Sequence, residues 1–216
     1  MSQRSQLSVI TPASSYDLIS LSDVKSDWGI TSTADDAFLS RTITRASAAA
    51  AQFCNRVFPA EMVVETIFVE RDVQPFLNYG GVDPLVLKRY PIGTIASIVE
   101  GVGTAVTVLD PASDFTVDQE KGWIIRLDST GNPKNWKATQ FVVTYTGGYT
   151  SIPYDIQDAI SRMVWTRYAE RSRDPFIQRQ RIYGVEEVEY IKQSEEGNLS
   201  SDVSDILDNY RVPVSA

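Results

Sequence analysis

The stretch that decides the fold runs from residue 34 to residue 58 and reads ADDAFLSRTITRASAAAAQFCNRVF. Asp35 and Asp36 lie at the start of this stretch, where acidic side chains interact favourably with the positive end of a helix dipole. Pro59 follows its last residue and would end a helix there. Apolar residues recur at alternating spacings of four and three, as on one face of an α-helix; they are Leu39, Ile43, Ala46, Ala50, Phe53 and Val57. We therefore expect a helix of about five turns, whose alanines allow a second helix to approach closely.

Beyond Pro59 the period of the apolar residues changes from helical to two. Short runs rich in Val, Ile, Thr and aromatic residues alternate with turns that contain Gly, Pro, Asn and Asp. Strands are predicted at residues 63–69, 85–87, 95–99, 106–109, 115–117, 123–127 and 141–145. The third and fourth can pair as a hairpin across Gly101 and Gly103. These patterns predict an antiparallel β-rich unit over residues 60–152, either a sandwich or barrel-like.

A second amphipathic helix is predicted to begin at Pro153, a residue suited to a first helical position, and to end at residue 174. Its apolar face consists of Ile156, Ile160, Met163, Val164 and Tyr168. The natural partner of this face is the helix of residues 34–58. The predicted fold class is therefore α+β, with a helical bundle of residues 17–59 plus 153–174 that is interrupted by the β-rich insertion.

The two ends of the chain are predicted to lie outside this bundle. Residues 1–16 are rich in Ser, Thr and Gln and contain Pro12, which favours a mobile arm. Residues 175–216 are predicted to form an extended segment and a C-terminal tail, in which a short helix runs from Ser201 to Tyr210.

Composition excludes several kinds of chemistry. The 216 residues include 20 Lys and Arg, 28 Asp and Glu, no His and one Cys, for a formal charge of −8. Without histidine the chain can form neither a Ser-His-Asp triad nor an imidazole metal site, and a lone Cys54 cannot form a zinc cluster. Carboxylates, Lys, Tyr and Cys54 are then the only general acid–base candidates, which disfavours an enzyme without excluding one. We expect no catalytic residues, no metal and no cofactor.

The sequence also predicts where the protein is found. No run of about 18 uncharged apolar residues occurs, so we expect no membrane-spanning helix. The first 15 residues lack the apolar core of a secretory signal, and a single cysteine fits a reducing cytoplasm.

Charge is distributed unevenly along the C-terminal part of the chain. Eight acids and two bases follow residue 181, whereas the twenty residues that end at residue 181 carry a net positive charge. The arginines of that basic block are Arg162, Arg167, Arg171, Arg173, Arg179 and Arg181. A solvated helix face followed by an acidic tail would explain either block alone. Adjacent blocks of opposite sign favour a contact between subunits, which is our first prediction for these arginines, with contact to DNA the second.

Five segments, taken in order, resemble the head–tail connector proteins of tailed bacteriophages and gene-transfer particles, a family that includes adaptor and head-completion proteins. The first comprises residues 21–30 (LSDVKSDWGI), 35–39 (DDAFL) and 48–58 (AAAAQFCNRVF). The others are residues 89–98 (RYPIGTIASI), 143–149 (VTYTGGY), 152–160 (IPYDIQDAI) and 203–211 (VSDILDNYR). The resemblance covers residues 17–211.

This resemblance implies a structural role in the virion neck, after assembly in the host cytoplasm. The family forms rings, commonly of twelve subunits, which join the portal protein to the tail-proximal neck or head-closure protein. DNA passes through the lumen without sequence-specific binding. The C-terminal segment of such proteins grips the portal, so the resemblance implies that Leu207, Tyr210 and Arg211 are docking residues.

A β-sandwich module that binds or hydrolyses carbohydrate is the alternative. Trp123, Trp136 and Tyr149 would then form a stacking platform for sugar rings. The competing explanation for these aromatic residues is that they fill the core of the β-rich unit.

Overall fold

The computed structural model of the chain describes residues 2–70, 82–103, 105–172, 179–182, 186–189 and 199–212. Within these ranges it contains four α-helices and one short 3₁₀ segment, Glu170–Ser172. The helices are α1 (Leu21–Asp27), α2 (Asp36–Phe53), α3 (Tyr154–Ala169) and α4 (Ser201–Asp208).

Ten strands are found in the same ranges. They are β1 (Ser2–Thr11), β2 (Glu61–Glu70), β3 (Leu85–Val86), β4 (Ile92–Val102), β5 (Ala105–Val108), β6 (Phe115–Asp118), β7 (Trp123–Arg126), β8 (Gln140–Gly147), β9 (Arg179–Ile182) and β10 (Glu186–Glu189). All pairings among them are antiparallel. The α+β class predicted from the sequence is confirmed.

The chain divides into two compact units, each built from two pieces of sequence. We call them the sheet unit, Met1–Ser15 with Val57–Ser151, and the helical unit, Tyr16–Arg56 with Ile152–Ala216. The polypeptide therefore passes from one unit to the other three times.

The sheet unit consists of two open sheets around one core. Five strands pair in the order β1-β2-β8-β4-β5 and three in the order β3-β7-β6, so the described strands form no closed barrel. Alternate residues of β2 and β8 are buried, as a strand with one face on a core requires. The largest core side chains come from both sheets and include Ile67, Leu85, Ile98, Phe115, Ile124, Phe141 and Tyr145.

The N-terminal residues are not the mobile arm that their composition predicted. Residues 2–11 form β1 and pair along β2, with a register irregularity between Val9 and Thr11. Polar contacts fasten the strand: the Gln3 side chain accepts a hydrogen bond from the Val86 backbone (3.0 Å), and the Lys88 ammonium donates to the Ser5 carbonyl (2.9 Å). A strand that is held by backbone pairing and polar contacts needs little alternation of apolar residues. The sequence of residues 2–11 therefore did not indicate a strand.

A small clamp joins the entry and exit of the insertion within the sheet unit. The Tyr149 amide donates to the Phe58 carbonyl at 2.7 Å, and the Ala60 amide donates to the Tyr149 carbonyl at 3.0 Å. Gly148 adopts φ 110°, and a Cβ there would lie 2.5 Å from the Pro59 carbonyl oxygen. Only glycine allows the two chain segments to approach this closely.

Two acids of β2 lie on its buried face. Glu65 is fully buried, and its Oε2 accepts hydrogen bonds from the Tyr145 hydroxyl (2.8 Å) and the Lys88 amide (3.0 Å). Glu61 forms an ion pair with Arg89 at 3.4 Å. Burial, together with the neighbouring Glu65 carboxylate, raises the pKa of the Tyr145 hydroxyl well above its ordinary value. The phenol therefore stays protonated and holds the Glu65 carboxylate in place.

We predict that Tyr145→Phe destabilises the sheet unit by about 2 kcal/mol, because it removes a charge-assisted hydrogen bond from a buried carboxylate. Chemical denaturation measures the loss. The matched control is Tyr154→Phe, since Tyr154 is 86% exposed and its substitution should change stability by less than about 0.5 kcal/mol. Equal stability of the two variants would contradict the role assigned to Tyr145.

Candidate interaction surfaces of the helical unit

Helix α3 is the centre of the helical unit, since it packs against α1, α2 and α4. Its buried side includes Ile156, Ile160 and Val164, and the buried side of α2 includes Leu39, Ile43, Ala46 and Ala50. The predicted pairing of these two helices is confirmed. Small alanine side chains on α2 allow the close packing that the sequence indicated.

Helix α1 is held to α3 by an aromatic stack and a short polar chain. The Trp28 ring lies parallel to the Trp165 ring, with centroids 4.5 Å apart. The Trp28 indole donates to the Ser161 hydroxyl at 2.9 Å, and this hydroxyl donates to the Asp27 carboxylate at 2.8 Å. No sequence pattern indicated this contact, because it joins residues more than 130 positions apart.

The first arginine of the basic block, Arg162, is used within the chain. It contacts Asp158 one turn earlier on α3 at 2.9 Å and Asp202 of α4 at 3.1 Å. A hydrogen bond from Ser200 and the contact with Arg162 lower the pKa of Asp202, in that order of weight. One member of the basic block and one of the acidic block therefore join α3 to α4 in a single subunit.

Arg171 is also used within the chain. Its guanidinium pairs with the Asp35 carboxylate and lies over the Phe38 ring, 5.0 Å from the centroid. The Tyr168 hydroxyl donates to the same carboxylate at 3.1 Å. Hydrogen bonds from Arg171 and then Tyr168 hold the pKa of Asp35 below its usual value. Asp35, which the sequence placed at the start of the helix of residues 34–58, thus also ties the start of α2 to the end of α3.

The other arginines of the block have different positions. Arg167 is half-buried on α3 and has no ion pair within the part of the chain that the structure describes. Arg179 and Arg181 belong to β9, and their side chains lie outside the description. Arg173 falls outside the described residues. Intersubunit contact through these arginines stays a prediction.

The predicted short helix at the C-terminus is confirmed as α4, but it packs on its own helical unit. Val203 and Leu207 are buried, and the Leu207 carbonyl accepts a hydrogen bond from the Cys54 thiol at 3.3 Å. The Val212 amide donates to the Cys54 carbonyl at 2.9 Å. Burial raises the pKa of the Cys54 thiol to about 11, so this thiol is inert at neutral pH.

Two of the three predicted docking residues lie nearer the surface. The Tyr210 hydroxyl donates to the Asp155 carboxylate, at 2.7 Å and 3.0 Å from its two oxygens. Arg211 is 60% exposed; its guanidinium lies 5.3 Å from the Phe53 ring centroid and 3.6 Å from Asp208. Leu207 therefore anchors α4, whereas Arg211 faces outward. The amphipathic pattern of residues 201–210 indicated the helix but not its partner.

Among the described residues, no group of His, Cys, Asp or Glu is arranged to hold a metal ion. A membrane-crossing helix is likewise not found there, since none of the described helices is both long and apolar enough.

The aromatic residues of the carbohydrate alternative do not form a platform. Trp136 is buried in the core of the sheet unit, edge-on to Phe141 with centroids 4.9 Å apart. Tyr149 packs near Phe58, and Trp123 lies under the Lys121 ammonium at 5.0 Å. Core filling explains Trp136, so it offers no face on which a sugar could stack.

The model of the head completion protein family matches residues 17–212. The chain belongs to this family. The match confirms the resemblance to head–tail connector and head-completion proteins. It spans both units and begins after β1. A search of curated protein sequences yields no match.

Two solved structures share the fold of this head completion protein. A chain in the neck of an empty gene transfer agent particle is 13% identical with a TM-score of 0.53, covering 98% of this chain and 97% of that one. A chain in the virion of a native gene transfer agent particle is 13% identical with a TM-score of 0.52, covering 97% of each chain. The likeness extends through both units.

We predict that Leu207→Ala costs about 2–5 kcal/mol of stability in the helical unit, because it empties a fully buried site on the inner side of α4, which packs against α3. Ile206→Ala on the same helix is the control and should cost less than half as much, since Ile206 is partly exposed. Denaturant unfolding of both variants gives the comparison. A tolerated Leu207→Ala would mean that α4 is a detachable tail.

The Asp35–Arg171 pair predicts a defined dependence of stability on pH. A carboxyl whose pKa is lowered in the fold stabilises above its unfolded pKa, near 3.8, and this stabilisation is lost as pH falls through the folded value. The stability difference between wild type and Arg171→Gln should therefore be constant above about pH 5 and shrink below about pH 4. Thermal unfolding across this range tests it; a difference that grows in acid would contradict the assignment.

Proposed function

We propose that the chain is a non-enzymatic structural protein of the virion neck in a tailed bacteriophage or gene-transfer particle. It forms a ring that joins the portal to the tail and extends the DNA channel. The observation that carries the proposal is the head completion family match over residues 17–212. Likeness in fold to a neck chain of a gene transfer agent particle, over nearly the full length of both chains, supports it.

The chemistry of the helical unit is consistent with a protein that works by assembly. Arg162 and Arg171 are bound by carboxylates of their own chain. Neutralised in this way, they are poor ligands for phosphate. A chain of net charge −8 also repels DNA, so we infer that DNA passes through the ring without being held.

The portal contact is assigned to the C-terminal segment, with a division of roles. Leu207 fixes α4 in the helical unit, and Tyr210 holds the end of the segment through Asp155. Arg211 is exposed and lies beyond the last turn of α4, where a guanidinium can reach carboxylates of a partner. We propose that Arg211 contacts the portal, and that Leu207 and Tyr210 position it.

The test is to mix the chain with the portal ring of the same particle and to measure the mass of the complex under native conditions. Each added copy contributes 24.0 kDa, so the number of copies is read directly. We expect a full ring, of twelve copies on a twelve-fold portal. Failure to join the portal at any concentration would overturn the proposed function.

A matched pair of variants tests the docking residue. Arg211→Glu should weaken attachment about tenfold or more, because it reverses a charge at the contact. Lys121→Glu makes the same kind of change on the sheet unit, where Lys121 is 58% exposed, and should leave attachment unchanged. Equal attachment of both variants would refute the role of Arg211.

A further inference from the structure

The outer side of α2 carries a basic face that the neck role does not explain. Its exposed residues include Arg41 and Arg45, one turn apart, among Ser40, Thr44 and Ala48. No acid occurs on α2 after Asp36, and neither arginine has an ion pair within the described ranges. The Arg41 Nε–H donates to the Ala37 carbonyl of its own helix, at 3.1 Å. In a chain of net charge −8, this is a positive stripe with no acidic partner among the described residues.

Helix α4 presents the complementary surface. Its exposed side carries Asp202, Asp205 and Asp208, and no Lys or Arg lies between them. Asp202 is bound by Arg162, and Asp208 lies 3.6 Å from Arg211. The Asp205 carboxylate has no ion pair among the residues that the structure describes. The helix is therefore anchored by its apolar side, with acids directed outward.

We propose that the basic face of α2, Arg41 and Arg45, binds the acidic face of α4, Asp205 and Asp208, on the next copy of this chain. The inference rests on the proposed ring and names the contact that builds it. Both faces are exposed, and no ion pair joins them among the described residues, so a second copy is the partner that can bring them together. Charged faces of opposite sign on two helices also fix the register of the contact.

The geometry of a helix pair fits this contact. Arg41 and Arg45 are separated by about 6 Å along α2, and Asp205 and Asp208 by about 4.5 Å along α4, at 1.5 Å per residue. Two guanidinium groups can therefore meet two carboxylates side by side. One face donates and a different face accepts, so the contact is heterologous, and repeated head-to-tail contacts close a ring when the rotation permits.

Phosphate is the competing ligand for the α2 face, and the observations favour the acidic helix. Proteins that hold duplex DNA typically neutralise roughly 6–10 phosphates, whereas this face offers two arginines on a chain that is acidic overall. Exposed ion pairs add little affinity but set partner choice and association rate. Such a contact should weaken with salt, because the Debye length falls from about 10 Å at 0.1 M to about 3 Å at 1 M.

Cross-linking tests the contact directly. The full chain with Arg45→Cys and Asp205→Cys, treated with a short bismaleimide alone and on the portal ring, should give a ladder of covalent multimers. Each single variant should give no ladder, and Cys54 should not interfere because it is buried. Arg45→Cys with Glu120→Cys, which places the second thiol on the sheet unit, is the matched control and should stay monomeric.

Charge exchange provides the second measurement. Arg41→Glu with Arg45→Glu should raise the concentration for half-assembly at least about tenfold, and adding Asp205→Arg with Asp208→Arg should restore it. Arg167→Glu, on α3, should change the concentration for half-assembly by less than about twofold, because the inferred contact does not use the arginines of the basic block.

The outcomes separate this inference from the proposed function. If wild type forms a ring but no ladder appears, or if the exchanged charges do not restore assembly, the α2–α4 contact is overturned and the neck role stands. Covalent dimers from Arg45→Cys alone would indicate a contact of α2 with α2 and also overturn it. If wild type neither joins the portal nor forms a ladder, the proposed function itself fails.

Discussion

The clamp between residues 58–60 and Tyr149 is the constraint on which the rest of the structure depends. Helices α2 and α3 lie on either side of the insertion in sequence, yet they pack on each other. The clamp brings the two ends of Val57–Ser151 together, so helix pairing need not close a long flexible loop. Gly148 permits the clamp, because its φ of 110° and the nearby Pro59 carbonyl exclude other side chains.

Elements with a strong local signal could be predicted from the sequence. The stripe of residues 34–58 indicated α2 and its partner α3, although the helix ends at Phe53, because Cys54 and Asn55 already turn the chain. Alternation of period two located the insertion and its main strands, including the β4–β5 hairpin. Both patterns arise because one face of each helix or strand is buried. They can therefore be recognised in the sequence without knowing which element covers that face.

The features that the sequence could not reveal depend on residues that are distant along the chain. The β1 strand is stabilised by pairing with β2, and the Trp28–Trp165 stack joins residues with no shared motif. The charge blocks indicated Arg162, but not that its carboxylate partner in the described structure is Asp202 of the same chain. Arg41 and Arg45 gave no signal in the sequence, because two arginines one turn apart are an ordinary feature of a solvated helix face.

The single thiol of the chain has a practical consequence. The C-terminal segment contributes to the burial of Cys54, since the thiol donates to the Leu207 carbonyl and the Cys54 carbonyl accepts a hydrogen bond from the Val212 amide. A thiol reagent therefore reports on the seating of α4 in each subunit, with no engineered label. Slow modification means that the C-terminal helix is seated, and fast modification means that it has left, so one spectroscopic trace can follow the C-terminal segment through particle assembly.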